Sequence, residues 1–135
     1  MPFLEWSSSL SVGLESVDRQ HRLLIGCIND LDAAVVQGHG SFMLQRMLER
    51  LRNYTRVHFA YEEAMFMVYH YETADEHTEA HHAFVRMIEA CEQRHAAGEG
   101  RVGEELLDYL RRWLTDHILV DDKAYARVLK ARGAE

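Results

Sequence analysis

The sequence lacks the features that mark membrane and secreted proteins. No apolar run approaches the roughly 20 residues that span a bilayer, so membrane insertion is excluded. The N-terminus has neither the basic start nor the apolar stretch of a secretory signal, and we therefore expect a cytoplasmic protein. The chain has only two cysteines, and in that compartment both are expected to be reduced thiols.

Positive charge is also scarce. The 135 residues include 15 Lys and Arg against 22 Asp and Glu, a formal net charge of −7, and the basic residues form no cluster. Because phosphate binding needs a basic surface, nucleic acid is excluded as a partner. A hydrophobic content of 47% is enough to bury a core within a single domain. The unexplained feature is a total of nine histidines.

Apolar residues recur at alternating steps of three and four through four segments of the chain, which predicts four amphipathic helices. Glycines follow the first and third segments, and a capping-box pattern precedes the third. The predicted elements are an N-terminal arm over residues 1–16, helices over 17–37, 41–68, 74–96 and 102–120, and a short C-terminal helix over 123–130. Such helices with short connections pack most economically as an all-α, up-down-up-down antiparallel four-helix bundle.

Histidine and glutamate occupy positions on these apolar faces where leucine or isoleucine is expected. A single histidine there is most often a core residue with a satisfied hydrogen bond, but five of the nine lie on these faces. Two pairs, His58 with Glu62 and His77 with His81, are each four residues apart. Each pair therefore lies on one side of a helix and can bind one metal centre. In an antiparallel bundle all these positions meet at one end. They are His21, His58, Glu62, His77, His81 and His117.

An aspartate after the fourth helix is a further candidate. Asp122 follows His117 by five residues, or about 140° around an ideal helix. Both side chains can therefore point inward only if the helix breaks or bulges near Val120. Asp121 is the alternative, and position alone does not choose between them. A pair of aspartates at a helix end is also commonly solvated.

The number of candidate ligands predicts more than one metal ion. Five imidazoles with carboxylates exceed the four ligands of a tetrahedral zinc, so we expect two metals bridged by carboxylates. Imidazole with carboxylate suits iron. No cysteine lies near the cluster, which excludes iron–sulfur and thiolate-zinc centres. The Glu-x-x-His motifs of a ferritin-like di-iron site are absent from these faces.

These residues and spacings resemble the hemerythrins, and among them the bacterial members, the bacteriohemerythrins. The resemblance covers nearly the whole chain, with one departure. Family members often have proline after the tyrosine that precedes the third helix, whereas Glu72 follows Tyr71 here, and we expect only a change in loop stiffness. The motifs are Trp6, Val12-Gly13, Val17-Asp18-Arg19-Gln20-His21, His58-x-x-x-Glu62, His77-x-x-x-His81 and Trp113-Leu114-x-x-His117-Ile118-x-x-x-Asp122-Lys123-x-Tyr125.

The resemblance implies a centre of two non-haem irons that the histidines hold unequally. Three histidines would hold one iron and two would hold the other, namely His77, His81 and His117 against His21 and His58. The bridges would be Glu62, Asp122 and an oxo or hydroxo group, which selects Asp122 over Asp121. The resemblance also implies an apolar oxygen pocket at Trp113, Leu114 and Ile118, although ordinary core packing would explain these three residues equally well.

The implied function is reversible dioxygen binding, for storage, delivery or sensing, without enzymatic turnover. Neutral histidines leave a di-iron core more positive than a carboxylate-rich site, so the irons are less easily driven to the high-valent states that oxidise substrates. The alternatives are a di-iron oxidase or peroxidase and a signalling module that responds to redox state or nitric oxide. A recipient of oxygen or signal would be a separate protein. Tyr54, Tyr109 and Tyr125 are candidates to hydrogen-bond to groups behind the ligands.

Overall fold

A computed structural model describes residues 4–38 and 41–134, without the side chains at positions 41, 42, 118 and 119. The element order is a short 3-10 helix at Ser8–Leu10, then α1, α2, α3, α4, a π-helix and α5. Their bounds are Glu15–Val36 for α1, Ser41–Val68 for α2, Ala74–Ala96 for α3, Val102–Asp116 for α4, His117–Asp122 for the π-helix and Lys123–Ala131 for α5.

The four long helices form the predicted antiparallel bundle. Helix α2 packs between α1 and α3, while α4 packs against both α3 and α1 and so closes the bundle. The prediction of an all-α fold is confirmed, because the described part of the chain contains no strand. None of the described helices combines the length and the apolar composition needed to cross a membrane.

Most of the apolar core fills the bundle on one side of the histidine positions. Its aliphatic side chains come from the apolar faces of all four helices, and burying each contributes about 1.5–3 kcal/mol. The fully buried ones include Leu24, Ile28, Leu31, Leu48, Leu51, Ile88, Leu106 and Leu110. This apolar packing holds the four helices in register at the end where the polar residues lie.

The fourth helix departs from its predicted span of 102–120. Helix α4 ends at Asp116, and the π-helix occupies residues 117–122. Hydrogen bonds in a π-helix run from residue i to i+5, so its turn is wider than that of an α-helix. His117 and Asp122, which are five residues apart, therefore lie on the same side of the chain. The structure thus has the local distortion that inward-facing His117 and Asp122 require.

The N-terminal arm from Leu4 onward and the segment after α5 both contact the bundle. In the arm, Leu4 and the side chain of Asn29 exchange two hydrogen bonds of 2.8 Å. Arg132, just after α5, donates to the carbonyl oxygens of Tyr69 and His70 at 3.0 and 2.7 Å. It also pairs with Glu72, the residue that follows Tyr71 in the α2–α3 connection. The C-terminal segment therefore holds the α2–α3 connection at the histidine end of the bundle.

Candidate metal centre

The seven predicted site residues meet in one layer at one end of the bundle. Because consecutive helices run in opposite directions, the beginnings of α1 and α3 lie beside the ends of α2 and α4. Six of the side chains are buried, and the seventh, His77, has only 9% of its side chain exposed. Candidate ligand atoms lie within 4.8 Å of one another in two groups that share one member: His21, His58, Glu62, His117 and Asp122, and His77, His81 and His117.

Each carboxylate of the layer approaches histidines from different helices. Asp122 Oδ2 lies 2.8 Å from Nε2 of His21 and 3.0 Å from Nε2 of His117. Asp122 Oδ1 lies 3.2 Å from Nε2 of His77. On the other side, Glu62 Oε1 lies 3.2 Å from Nε2 of both His58 and His81. The two carboxylates therefore connect histidines of all four long segments of the bundle.

Most of these short approaches do not have hydrogen-bond geometry. Among the described residues, no hydrogen-bond partner exists for Nε2 of His21, His58, His81 and His117, for Glu62 Oε1 or for Asp122 Oδ2. Leaving one buried polar group unpaired costs about 1–3 kcal/mol, and such groups are few in native proteins. Unpaired nitrogen and carboxylate atoms that converge from several helices are the donor set that metal cations require. The residues present therefore fit a metal centre.

The donors also restrict the kind of metal. Nitrogen and oxygen atoms alone form the two groups, and both cysteines are free thiols that belong to neither. Imidazole with carboxylate suits borderline first-row ions such as iron, whereas soft thiolate sites select other centres. Asp121, the alternative to Asp122, is exposed and is absent from both groups.

The electrostatics leave a proton inside the layer when no metal is bound. Burial lowers the pKa of His58 to about 4, so this ring is neutral. Burial acts in the same direction on His117, but the charges of Asp122 and Glu62 outweigh it and raise the pKa of His117 to about 9. Burial works against ionisation of Asp122, yet His117 and the neighbouring histidines hold the pKa of this carboxyl well below its usual value. A charged His117 thus partly takes the place of a cation.

Polar side chains contact the Nδ1 atoms of two of the histidine rings, on the side that faces away from the layer. His58 Nδ1 lies 2.6 Å from Gln20 Oε1, and His81 Nδ1 lies 3.2 Å from Glu63 Oε2. We assigned no role to Gln20 or Glu63 from the sequence: Gln20 belongs to the motif that ends at His21, and Glu63 only adjoins the predicted ligand Glu62. Both contacts fix the orientation of a histidine whose Nε2 faces the layer.

The three candidate tyrosines have different positions. The buried hydroxyl of Tyr125 donates a hydrogen bond to Glu62 Oε2. Tyr54 donates to the backbone carbonyl of Gln20 at 2.7 Å, and Tyr109 lies against the ring of Phe84. Tyr125 alone among them therefore touches a predicted ligand directly.

The three predicted oxygen-pocket residues follow one another around the end of α4. The Trp113 ring stacks on the His117 ring, with centroids 4.5 Å apart and an interplanar angle of 11°. Leu114 is buried and lies one turn before His117 on the same face of the helix. The side chain of Ile118 lies outside the described residues. Apolar groups thus cover His117 on its α4 side.

Known proteins similar to this chain share its fold. The family model described as "Hemerythrin HHE cation binding domain" matches residues 12–129. A bacteriohemerythrin of Pseudomonas aeruginosa (strain LESB58) is 35% identical over 130 residues, which are 96% of this chain and 84% of that protein. One of Stenotrophomonas maltophilia (strain R551-3) is 33% identical over 131 residues, 97% and 84% of the two chains. A crystal structure of a wild-type hemerythrin aligns with a TM-score of 0.84 at 25% identity, over 93% of this chain and 97% of that one.

Metal affinity of the metal-free protein is expected to rise with pH from neutrality to about 9, the pKa of His117. A metal can bind Nε2 only after this nitrogen has lost its proton. Below the pKa, each pH unit therefore weakens binding about tenfold at the position that His117 serves. His58, with a pKa of about 4, is already neutral and adds no slope in this range. Titrations with Co²⁺ at several pH values would measure the dependence.

The matched control is His82→Ala, which removes an exposed histidine that adjoins His81 but belongs to neither group. This variant should keep the wild-type slope. A wild-type affinity that stays constant between neutral pH and about 9, where His117 titrates, would contradict a protonated His117 in the metal-free layer.

Proposed function

The chain belongs to the hemerythrin family, and from this premise we propose that it binds dioxygen reversibly at a pair of iron ions in the histidine layer. The observation that carries the proposal is the set of buried nitrogen and oxygen atoms that face one another without hydrogen-bond partners. A layer built only for stability would pair these atoms, because unpaired buried polar groups oppose folding.

The proposed ligands divide unequally between two metal positions. His77, His81 and His117 would serve one ion, while His21 and His58 would serve the other. Glu62 and Asp122 would bridge them, together with an oxo or hydroxo group. The distances support this division, because Asp122 approaches both His21 and His117, and Glu62 approaches both His58 and His81. The position with two histidines has one protein ligand fewer, which leaves room for a small ligand.

The chemistry suits binding more than oxidation of substrates. When bound, two ferrous ions supply the two electrons that dioxygen takes up on binding and returns on release. Five neutral imidazoles and only two carboxylates leave the centre more positive than a carboxylate-rich site, which disfavours high-valent states. An oxidase or peroxidase, the alternative function, would be better served by more anionic ligands.

The residues around the layer also keep free proton donors away from it. The hydroxyl of Tyr125 is committed to Glu62, and its pKa is raised well above 10, first by burial and then by the charges of Glu62 and Asp122. Trp113 and Leu114 present apolar surface beside His117, and Ile118 is proposed to extend it. A dry site without a free acid protects the oxygenated form from irreversible oxidation.

The direct test of the function is an absorption spectrum under controlled gas. Anaerobically reduced, iron-loaded protein should gain a visible charge-transfer band when air is admitted and lose it when oxygen is removed, over repeated cycles. A band that never reverses would contradict reversible binding. Steady oxygen consumption in the presence of a reductant would instead identify an oxidase.

Leu114→Asn tests the dry pocket with a nearly isosteric polar side chain. We expect the oxygenated form to decay at least about tenfold faster, because an amide N–H beside His117 supplies a proton donor and attracts water. The decay of the visible band after oxygenation measures this rate.

Leu110→Asn is the matched control, since Leu110 is equally buried on the same face of α4 but lies a further turn from His117. It carries a similar cost in stability without a donor at the site. Equal decay rates for the two variants would contradict a protective role for Leu114.

A further inference from the structure

The outward-facing nitrogens of three layer histidines have different surroundings. His81 Nδ1 faces the carboxylate of Glu63 at 3.2 Å, and His58 Nδ1 faces the neutral amide oxygen of Gln20 at 2.6 Å. His21 Nδ1 is buried without a hydrogen-bond partner. The partners therefore differ in charge between the two groups of histidines.

The direction of these hydrogen bonds follows from the inward contacts. Nε2 of both His58 and His81 lies 3.2 Å from Glu62 Oε1 and faces the layer. Nδ1 is then the nitrogen that keeps its proton, and it donates outward to Gln20 or Glu63. A carboxylate acceptor raises the basicity of the donating imidazole, whereas an uncharged amide mainly fixes its orientation.

The charge of Glu63 is not neutralised by a neighbouring arginine. Glu63 lies in a surface cavity of about 380 Å³ between α2 and α3, with 32% of its side chain exposed. Two arginines also line this cavity, but each is paired with another glutamate: Arg56 with Glu89 at 2.5 Å and Arg86 with Glu79 at 2.9 Å. Within the described part of the chain, the close ionic partner of Glu63 is His81.

We propose that Glu63 is a positioning residue that makes the two metal positions electronically unequal. By accepting a hydrogen bond from the Nδ1–H group of His81, Glu63 increases electron donation at the three-histidine position and favours the oxidised state there. Gln20 orients His58 without adding charge, so the two-histidine position lacks this bias. The inference rests on the metal centre of the proposed function. Glu63 and Gln20, which are not ligands themselves, would control the reduction potential of that centre.

Two substitutions that exchange the partner types test this role on the iron-loaded protein. Glu63→Gln keeps an oxygen acceptor for His81 but removes the charge, and it should shift the oxidised-to-reduced equilibrium about tenfold toward the reduced form, a rise of about 59 mV for a one-electron step. Gln20→Glu should move the potential in the opposite direction. A spectroelectrochemical titration without oxygen measures both.

Asp75→Asn is the same-charge control, because Asp75 is an exposed acid in the first turn of α3, the helix that carries His81, and it does not line the cavity of Glu63. Its shift should be clearly smaller than that of Glu63→Gln. In the metal-free proteins, Glu63→Gln should also weaken Co²⁺ binding by about 10- to 100-fold, while Asp75→Asn should not.

The outcomes separate this inference from the proposed function. Equal shifts for Glu63→Gln and Asp75→Asn, or no downward shift for Gln20→Glu, would overturn the role of Glu63 even if dioxygen binds reversibly. The expected opposite shifts in a protein that fails to bind dioxygen reversibly would uphold that role and overturn the function. A wild-type chain that takes up no iron would overturn both.

Discussion

The structure depends on one constraint, which is the burial of seven polar side chains in a single layer of an otherwise apolar bundle. Removing histidines and carboxylates from water is unfavourable unless opposite charges or metal ions compensate. In the metal-free layer, the two carboxylates lie beside a charged His117, and most of the facing atoms stay unpaired. The apolar core around the layer supplies the stability that holds this arrangement together.

The wide π-helical turn is the local consequence of the same constraint. An unbroken α-helix would turn Asp122 away from the layer that His117 enters, whereas residues 117–122 bring both side chains inward. The turn also sets the start of α5, so that the Tyr125 hydroxyl reaches Glu62. Distortions of this kind occur often at functional sites because they re-aim a side chain at a cost in regular hydrogen bonding. One irregular turn thus places both a proposed bridging ligand and the group that holds the other bridge.

The sequence predicted the layer because its signals are periodic. His21, His58, His77, His81 and Glu62 fall on apolar faces, and alternating helix direction brings such positions to one end. The residues that contact the Nδ1 atoms of His58 and His81 could not be predicted from this periodicity. Gln20 and Glu63 lie beside the apolar faces, and their contacts depend on side-chain rotamers rather than on helical period. Spacing alone also left Asp121 and Asp122 as alternatives. It predicted only that the helix must break or bulge near Val120 if His117 and Asp122 both point inward, and the observed π-helix is such a bulge.

The most direct measurement is anomalous X-ray diffraction at the iron edge from crystals of the iron-loaded protein. Two iron peaks less than about 4 Å apart are expected in the layer. One should lie within bonding distance of His77, His81 and His117, and the other within bonding distance of His21 and His58, with Glu62 and Asp122 contacting both. A single peak, or peaks that these histidines do not contact, would contradict a di-iron centre built from this layer.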